Sequence, residues 1–243
     1  MTTNIFDQLT AAIETGAPFV LATIVRGAEN EIGCHLIIHR DGDTSGDLDD
    51  SALAARVKEQ AAVLLGQEGS TTLKDGASEI FLESYFPPPK LIIVGAVHVA
   101  IPLVTFAREL GYKVILVDPR QAFATAERFP NVDTLIRRWP DEALAEIGID
   151  AGTCIVVLTH DPKFDDPAIK YALQHAPAYI GVLGSRKTHE KRLQRLKADG
   201  LPDEQLARLH APIGLDIEAR TPAEIALSIM GEIISVRRGA GVQ

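Results

Sequence analysis

Four short apolar segments constrain the fold of this chain more than any other feature. They lie in the second half of the sequence and read KLIIVG, KVILVD, CIVVLT and AYIGVLG. Continuous runs of valine, isoleucine and leucine of this length are typical of strands buried on both faces of a parallel sheet. Helical patterns lie between and after them, at residues 99–110, about 120–128, 140–147, 164–175 and 187–199. This alternation predicts an α/β fold with a Rossmann-like, doubly wound and mostly parallel sheet.

The sequence before these segments predicts a smaller α+β domain. NIFDQLTAAIET predicts a helix with one apolar face, formed by Ile5, Leu9, Ala12 and Ile13. FVLATIV, CHLIIHR and EIFLESYF have the composition of strands, and a turn around Gly27–Asn30 joins the first two. After the second strand, DGDTSGDLDDS is typical of a polar loop. SALAARVKEQAAVLLG then predicts a helix that ends at Gly66, with candidate N-caps at Asp49, Asp50 and Ser51.

A proline triplet, Pro87–Pro89, separates the two patterns. Consecutive prolines are extended and semi-rigid, so they mark a plausible domain boundary. The 243 residues are enough for one large domain or two small ones. We therefore expect a small α+β domain over residues 1–86, a proline linker over 87–90 and a Rossmann-like domain over 91–243.

Charge and composition exclude several classes of protein. No apolar run approaches the roughly 18 residues of a membrane helix, and the acidic N-terminus lacks the basic region of a signal peptide. The net charge of -9 argues against a nucleic-acid surface. The two cysteines, Cys34 and Cys154, do not suggest a disulfide framework. We therefore expect a cytoplasmic protein that binds neither a membrane nor a nucleic acid.

Ligands of open parallel sheets bind beyond the carboxyl ends of the strands, so the residues after each apolar run are the candidate site. After the first run, GAVHVA offers Gly95 for a tight turn and a helix N-terminus for an anion. Dinucleotide sites have a second glycine where this chain has Val97, whose side chain partly fills the space for a pyrophosphate. Ordinary NAD binding is therefore disfavoured. His98 either donates to a phosphate or caps the helix.

The second run is followed by VDPR. Asp118 lies 23 positions after Gly95, close to where an acid meets a ribose hydroxyl in dinucleotide sites. Arg120 is a candidate phosphate ligand. The alternative for Asp118 is an Asx-turn before Pro119, a purely structural role.

Three polar residues, Thr159, His160 and Asp161, follow the third run. Polar side chains at the exit of a buried strand point to ligand binding rather than to packing. A metal site would need His160, Asp161 and Asp165 to converge, but their spacing matches no strong ligand pattern. The alternative for Asp161 is a helix cap.

The fourth run leads into Gly184, Ser185 and Arg186 at the start of a helix. Glycine, a hydroxyl, a helix N-terminus and an arginine together predict an anion site. The alternative is a solvated basic helix face, because the helix carries six cations: Arg186, Lys187, Lys191, Arg192, Arg195 and Lys197.

The last segment predicts a helix with a capping box. Thr221 is the cap, Pro222 the first helical residue and Glu224 the third. Its buried stripe is expected to contain Ile225, Ile229 and Ile233. The glycine-containing loop before this helix places three more residues at the border of the cleft: His210, Gly214 and Asp216.

The chain resembles the XdhC/CoxI family, the accessory factors of xanthine dehydrogenase and related molybdenum hydroxylases. The resemblance covers most of the chain, and the first domain resembles the family's smaller domain in a divergent form. It is carried by the order and spacing of six segments: FPPPKLIIVGAVHVA, VDPR, FATAERFP, LTHDPKFD, YIGVLGSRKTHEKRLQRL and PIGLDIEARTPAEIALSIMGEI.

The resemblance implies a cytoplasmic, usually dimeric protein that is not an enzyme. It implies that the chain binds the molybdenum cofactor, as molybdopterin or its cytosine dinucleotide, and that NAD(P) is not its cofactor. It also implies two partners: a cysteine desulfurase, and a molybdenum hydroxylase of the xanthine dehydrogenase, CO dehydrogenase or aldehyde oxidase type. The expected cofactor-binding residues are Gly95, His98, Asp118, Arg120, Thr159, His160, Asp161, Gly184, Ser185, Arg186, Gly214 and Asp216.

The chain departs from the family pattern at several positions. The family turn GAGHVA has glycine at Val97, and the family loop GLDIGA has glycine at Glu218. The family's N-terminal cysteine motif is absent, and Asp49 stands near its place. This puts a thiol contact to molybdenum or sulfur in doubt. Cys34 is expected to be a buried strand cysteine or a reactive thiol, and Cys154 a core residue.

Three hypotheses about function follow. The first is a chaperone of the molybdenum cofactor. The second is an NADP-linked oxidoreductase that uses Arg120 for the 2′-phosphate, although Val97 disfavours it and no hydride-transfer set stands out. The third is a degenerate paralogue that acts only through protein partners, which Val97, Glu218 and the missing cysteine motif favour.

Overall fold

The computed structural model describes residues 5–46, 48, 51–66 and 68–239 of the chain. It divides into two compact units, residues 1–87 and 88–243, and each is described by itself. Two of the predicted caps of the second helix, Asp49 and Asp50, lie outside the described residues, and so does the side chain of Ser51.

The first unit is a five-stranded antiparallel sheet with two helices. Its strands are β1 (Phe19–Arg26), β2 (His35–His39), β3 (Thr44–Gly46), β4 (Ser70–Asp75) and β5 (Ser78–Tyr85), in the order β3-β2-β1-β5-β4. Its helices are α1 (Ile5–Glu14) and α2 (Ser51–Leu64). The main core of this unit contains Val57 and Ala61 of α2, packed with the strand residues Val20, Ile80 and Leu82.

The sequence pattern does not predict two strands of this unit. β3 lies within the segment interpreted as a polar loop, and that interpretation is wrong at Thr44–Gly46. β4 was not predicted at all. Neither strand contains a buried residue, so neither has the apolar signal on which strand prediction depends. The predicted apolar face of α1 is also wrong at Ile13, which is 59% exposed, whereas Ala12 is buried.

The second unit is a six-stranded parallel sheet. Its strands are β6 (Lys90–Val94), β7 (Lys113–Val117), β8 (Thr134–Ile136), β9 (Thr153–Val157), β10 (Tyr179–Val182) and β11 (Leu209–His210). Their spatial order is β11-β10-β9-β6-β7-β8. Counted within this unit and read from β8, the order is 3-2-1-4-5-6, which is the Rossmann order. The predicted fold class is therefore confirmed.

Helices cover both faces of this sheet. They are α3 (Ala100–Glu109), α4 (Pro140–Ile147), α5 (Pro162–Leu173), α6 (Arg186–Ala198), the short α7 (Asp203–Leu206) and α8 (Pro222–Arg237). Residues of α3 and α8 share one core cluster with the sheet, and residues of α4, α5 and α6 share the other. α8 has the predicted cap, in which Thr221 accepts from the Glu224 amide and the Glu224 side chain accepts from the Thr221 amide. Of its predicted stripe, Ile229 and Ile233 are buried and Ile225 is partly buried.

The helix predicted at about residues 120–128 is wrong. The segment forms separate turns instead. Two arginine side chains occupy carbonyls that a continuous helix would use, because Arg128 donates to the Phe123 carbonyl and Arg137 to the Ala124 carbonyl. The buried anchors Ala124 and Phe129 are five positions apart, a spacing that does not match one helical face.

Candidate functional site

Successive strands are added in one direction from β6 to β8 and in the other direction from β9 to β11, so the crevice at the carboxyl ends of β6 and β9 is the expected ligand position. Gly95 begins the turn after β6 with φ +113°, a region that side chains rarely occupy. A Cβ atom at Gly95 would lie 2.6 Å from Cγ2 of Thr159 and 3.2 Å from its amide nitrogen. Glycine is therefore required here by the close approach of the two strand exits.

The next two residues of the turn differ in exposure. Val97 is partly buried and packs against the core, and His98 is exposed. The N-cap position of α3 is Val99, which makes no capping side-chain bond. The alternative interpretation of His98 as the cap is therefore wrong.

Asp118 is buried at the end of β7 and ties the glycine turn to the next loop. Its carboxylate accepts from the Ala96 amide at 2.8 Å, the Arg120 amide at 2.9 Å, and Nε and Nη2 of Arg120 at 2.9 and 2.7 Å. The bond from the Arg120 amide closes the Asx-turn that the sequence offered as the alternative. Burial acts to raise the pKa of Asp118, but the bonds from Arg120 and Ala96 hold it below its usual value. The carboxylate is thus already occupied by protein donors.

The residues after β9 differ in exposure: Thr159 and Asp165 are buried, His160 is exposed and Asp161 is half-buried. Thr159 is buried and donates to Asp165, whereas His160 is exposed with φ +54°. Asp161 is the N-cap of α5, accepting from the Lys163 amide at 3.0 Å, as its alternative interpretation predicted. Within the described part of the chain, no three histidine, cysteine or acidic side chains are grouped for a metal ion.

A buried ion pair links the exits of β9 and β10. Nη2 of Arg192 lies 3.3 Å from Asp165 and donates to the Leu183 carbonyl at 3.0 Å. Both side chains are almost fully buried. Burial raises the pKa of Asp165, although the bonds from Thr159 and Arg192 oppose the change. The pair thus fixes the base of the predicted anion turn from inside the domain.

The turn after β10 is a capped helix N-terminus. Ser185 is the N-cap of α6, and its hydroxyl accepts from the Thr188 amide at 3.2 Å. Gly184 precedes it and Arg186 is exposed beside it. The first amides of a helix point along its axis toward the preceding loop, so Arg186 and these amides lie at the same end of α6.

The six cations of α6 divide into two groups. Three have carboxylate partners: Arg192 with Asp165, Arg195 with Asp166 at 2.9 Å, and Lys197 with Asp203 at 2.6 Å. In the described chain, the other three make no ion pair: Arg186, Lys187 and Lys191. The interpretation as a solvated basic face is therefore wrong for the buried Arg192, and the unpaired charge lies in the first two turns of the helix.

The loop after β11 is anchored by a buried acid in α8. Glu232 accepts from the Tyr179 hydroxyl and from the Gly214 amide, the latter at 2.8 Å, and lies 3.6 Å from Nδ1 of His210. Burial acts to raise the pKa of Glu232, but the bonds from His210, Tyr179 and Gly214 hold it below its usual value. Asp216 is exposed. Of the three predicted border residues, His210 and Gly214 thus have structural partners.

Sequence analysis missed the partners that hold these turns, chiefly Asp165 with Arg192 and Glu232 with Tyr179. One signal was available. Glu232 is the single charge in SIMGEIIS, a segment that the helical pattern buries, and a charge on a buried face requires a partner. Arg192 gave no such signal, because it lies among five other cations.

Both cysteines are outside disulfides in the described chain. Cys34 is half-buried just before β2. Cys154 is buried in β9, as predicted, and burial raises the pKa of its thiol to about 12. The helices within the described part of the chain are too short or too polar to span a bilayer.

Comparison with family models matches both units. Residues 91–233 match the XdhC Rossmann domain, and residues 12–75 match the XdhC and CoxI family. The first range alone covers more than half of the chain.

Two curated relatives have informative names. The chain is 34% identical over 168 residues to a Bacillus subtilis protein named as a probable subunit of xanthine dehydrogenase, covering 69% of this chain and 49% of that protein. It is 38% identical over 95 residues to the molybdenum cofactor insertion chaperone PaoD from Escherichia coli, covering 39% of this chain and 30% of that protein. The chain thus spans about half or less of the length of these relatives.

A solved structure shares the fold. It is described as a xanthine dehydrogenase from Bacillus halodurans and superposes with a TM-score of 0.58 at 20% identity, covering 98% of this chain and 97% of that one. At this identity the likeness concerns the fold alone.

Proposed function

The chain belongs to the XdhC and CoxI family, and from that membership we propose that it is an accessory factor in the maturation of a molybdenum hydroxylase. It binds the molybdenum cofactor as cargo, protects it and passes it to the apoenzyme, without turning over a substrate of its own. The observation that carries the proposal is the family match in both units, at residues 12–75 and 91–233.

The names of the relatives support the same role. One relative is named as a probable xanthine dehydrogenase component and another as a chaperone that inserts the molybdenum cofactor. In this proposal the cargo is sulfurated molybdopterin or its cytosine dinucleotide. The partners are a cysteine desulfurase and a hydroxylase of the xanthine dehydrogenase, CO dehydrogenase or aldehyde oxidase type. The protein acts as a cytoplasmic homodimer.

The phosphate of the cargo is assigned to Gly184, Ser185 and Arg186. Three features support this assignment: the capped helix N-terminus, the exposed guanidinium beside it and the unpaired Lys187 in the first turn. The remaining candidate contacts from the crevice are the exposed His98 and His160.

Two features at the exits of β6 and β7 oppose the NADP hypothesis. Asp118 and Arg120 bond to each other through two guanidinium nitrogens, so neither is available for the ribose or its 2′-phosphate without breaking this pair. Val97 stands where the second glycine of a dinucleotide turn admits the pyrophosphate. We therefore expect that NADP does not bind at a concentration at which the molybdenum cofactor saturates the protein.

A binding titration tests the proposal. The purified chain is titrated with molybdenum cofactor released under anaerobic conditions, with NADP and cytidine nucleotides in parallel and the oligomer mass measured in the same sample. Micromolar or tighter binding of the cofactor alone is expected. If nothing binds, the chaperone proposal fails and the hypothesis of a partner-binding paralogue replaces it.

A pair of variants tests the phosphate assignment. Arg186→Ala removes one charged hydrogen bond and should weaken cofactor binding by about 1.5–3 kcal/mol while leaving stability almost unchanged. The matched control is Arg195→Ala on the same helix, whose guanidinium is bound by Asp166. The control should keep its affinity. A stability loss with unchanged affinity in Arg186→Ala would make the turn structural.

A further inference from the structure

We propose that the flat heterocycle of the cargo stacks on an aromatic and arginine surface at the carboxyl ends of β7 and β8. This surface, called the platform below, consists of Phe123, Trp139, Phe164, Arg120 and Arg128. The proposal rests on the proposed function, because it assigns the ring of the ligand whose phosphate lies at the turn after β10.

The platform is a continuous series of ring contacts. The Arg120 guanidinium carbon lies 4.5 Å from the centroid of the Phe123 ring and 5.3 Å from that of Phe164. The Phe164 centroid lies 5.3 Å from that of Trp139. These residues come from three separate segments, namely the loop after β7, the N-cap of α4 and the first turn of α5. Separate loops thus converge on one surface.

The two outer rings of the platform are exposed to solvent. Phe123 is 43% exposed and Trp139 is 46% exposed. Single exposed apolar residues are ordinary on protein surfaces. Here, however, both rings are held against a third ring or an arginine that is itself fixed, so their orientation is preorganised. Preorganised aromatic faces bind flat ring systems by stacking.

The position of the platform suits a two-part ligand. Asp118 holds Arg120 and also accepts from the Ala96 amide in the turn after β6, which connects the platform to the crevice. Ligands of this fold lie across that crevice, with contacts in both halves of the sheet. Most of the platform follows β7 and β8, its Phe164 follows β9, and the turn after β10 lies beyond β9 in the other half of the sheet.

Within the described chain Arg128 makes no ion pair, whereas Arg120 lies near two carboxylates, those of Asp118 and Asp161. Asp118 neutralises Arg120, whereas Arg128 donates to the Phe123 carbonyl at 2.7 Å, which leaves its positive charge in place. Arg128 also lies over the Phe123 ring, with its guanidinium carbon 5.8 Å from the centroid. The positive charge of Arg128 beside the exposed rings suits a ligand that carries a phosphate.

A small ligand fits this surface better than a protein partner does. Two exposed aromatic side chains cover far less than the roughly 800 Å² per partner that stable interfaces bury. Both a pterin and a nucleobase supply a flat nitrogen heterocycle, and the experiment distinguishes these two sources.

Trp139 reports on the platform directly because it is the single tryptophan of the chain. The full chain is titrated with neopterin in one arm and with cytidine 5′-monophosphate in the other, and tryptophan fluorescence is corrected for absorption. In one arm we expect a saturable change in Trp139 fluorescence and weaker quenching of that fluorescence by acrylamide. The arm that shows both effects identifies the ring that binds. Phe123→Leu should weaken that binding at least about fivefold, the lower end of the contribution of one stacking contact.

The control variant is Leu110→Ala. Leu110 is 49% exposed and lies between α3 and β7, at the amino ends of the strands and away from the platform, so its removal should leave the titration unchanged. The platform is overturned if neither ring changes Trp139 fluorescence, or if Phe123→Leu binds as tightly as the wild type. If Phe123→Leu does not fold, acrylamide quenching of Trp139 in the wild type tests the platform instead, and quenching that the ring compounds leave unchanged overturns it.

Failure of the platform and failure of the proposed function give different results. Molybdenum cofactor binding is followed separately by the metal content of the protein after gel filtration. Cofactor bound equally by wild type and Phe123→Leu, with Trp139 unchanged, overturns the platform and leaves the proposed function standing. A ring that protects Trp139 in a chain that retains no cofactor supports the platform and overturns the proposed function.

Discussion

Replacing Asp118 by asparagine tests whether this carboxylate contacts a ligand or is a structural tie, which means that it holds the turn after β6 and Arg120 together. The side chain accepts four hydrogen bonds, three from Arg120 and one from the Ala96 amide. Asparagine keeps the shape but turns an amide donor toward the donors of Arg120. If Asp118 is a tie, its replacement lowers stability. If it is a ligand contact, replacement lowers affinity alone.

The size of the loss follows from the exposure of the two partners. Removing one member of a buried ion pair costs about 3–5 kcal/mol. The Asp118 side chain is fully buried, but that of Arg120 is 32% exposed, so water takes over part of its solvation. We therefore expect the variant to lose about 2–3 kcal/mol of unfolding free energy at pH 7.

The pH dependence has a definite sign. The folded pKa of Asp118 is lowered below its usual value of 3.8. The stability that it contributes is therefore fully present above the unfolded pKa and is lost as the pH falls through the folded pKa. The difference between wild type and Asp118→Asn should be constant from pH 8 to about 5 and should shrink below about pH 4.

Urea unfolding followed by circular dichroism measures these differences. The control is Asp150→Asn, whose carboxylate pairs with Lys90 at 2.7 Å but is 55% exposed, and it should cost less than about 1 kcal/mol. A second control adds Arg120→Met to Asp118→Asn and should recover part of the loss, because no guanidinium then lacks its carboxylate. A loss below about 0.5 kcal/mol at pH 7, or one that grows as the pH falls, would refute the assignment of Asp118 as a tie.

Three further predictions use other parts of the second unit. Gly95→Ala should lose about 2–4 kcal/mol of unfolding free energy in urea, because its Cβ would meet Thr159 at 2.6 Å. The control Gly111→Ala, with φ +79° and no atom within 4 Å of the added Cβ, should lose only about 1–2 kcal/mol. Equal losses in the two variants would contradict the role of the contact with Thr159. Val97→Gly should gain measurable NADP affinity by calorimetry, and no gain would remove this side chain from the explanation. Cys154, whose pKa is raised to about 12, should resist alkylation at pH 8 until the protein unfolds, and mass spectrometry of early labelling would reveal any reaction.

The parallel sheet was predictable because its signal is local. Each strand of the second unit except β8 and β11 is an uninterrupted apolar run, and burial on both faces selects that composition. β3 and β4 were not predictable in this way, because exposed strands are held by backbone pairing with β2 and β5 rather than by apolar side chains. The helix predicted at about 120–128 is wrong for a related reason, because the side chains of Arg128 and Arg137 bond to two carbonyls of the segment.

The candidate site shows the same limit at the level of side chains. The sequence located the strand exits and the residues there, but it does not show which residue forms an ion pair with a given charged side chain. Asp118, Arg192 and Arg195 all belong to segments interpreted as ligand sites, and all three are engaged in ion pairs within the domain. Only the fold separates these residues from Arg186 and Lys187, which remain exposed.

The turn after β6 keeps the small residues that packing requires and changes the one that a dinucleotide requires. Gly95 lies against Thr159, and Ala100, at the third small position of the fingerprint, is fully buried. Val97 fills the position that would admit a pyrophosphate and packs against the core, and Asp118 binds the Ala96 amide instead of a ribose. A turn changed in this way is a fixed wall of the crevice rather than a phosphate cradle. We therefore propose that the phosphate of any ligand bound here is held elsewhere, at the capped and positively charged end of α6.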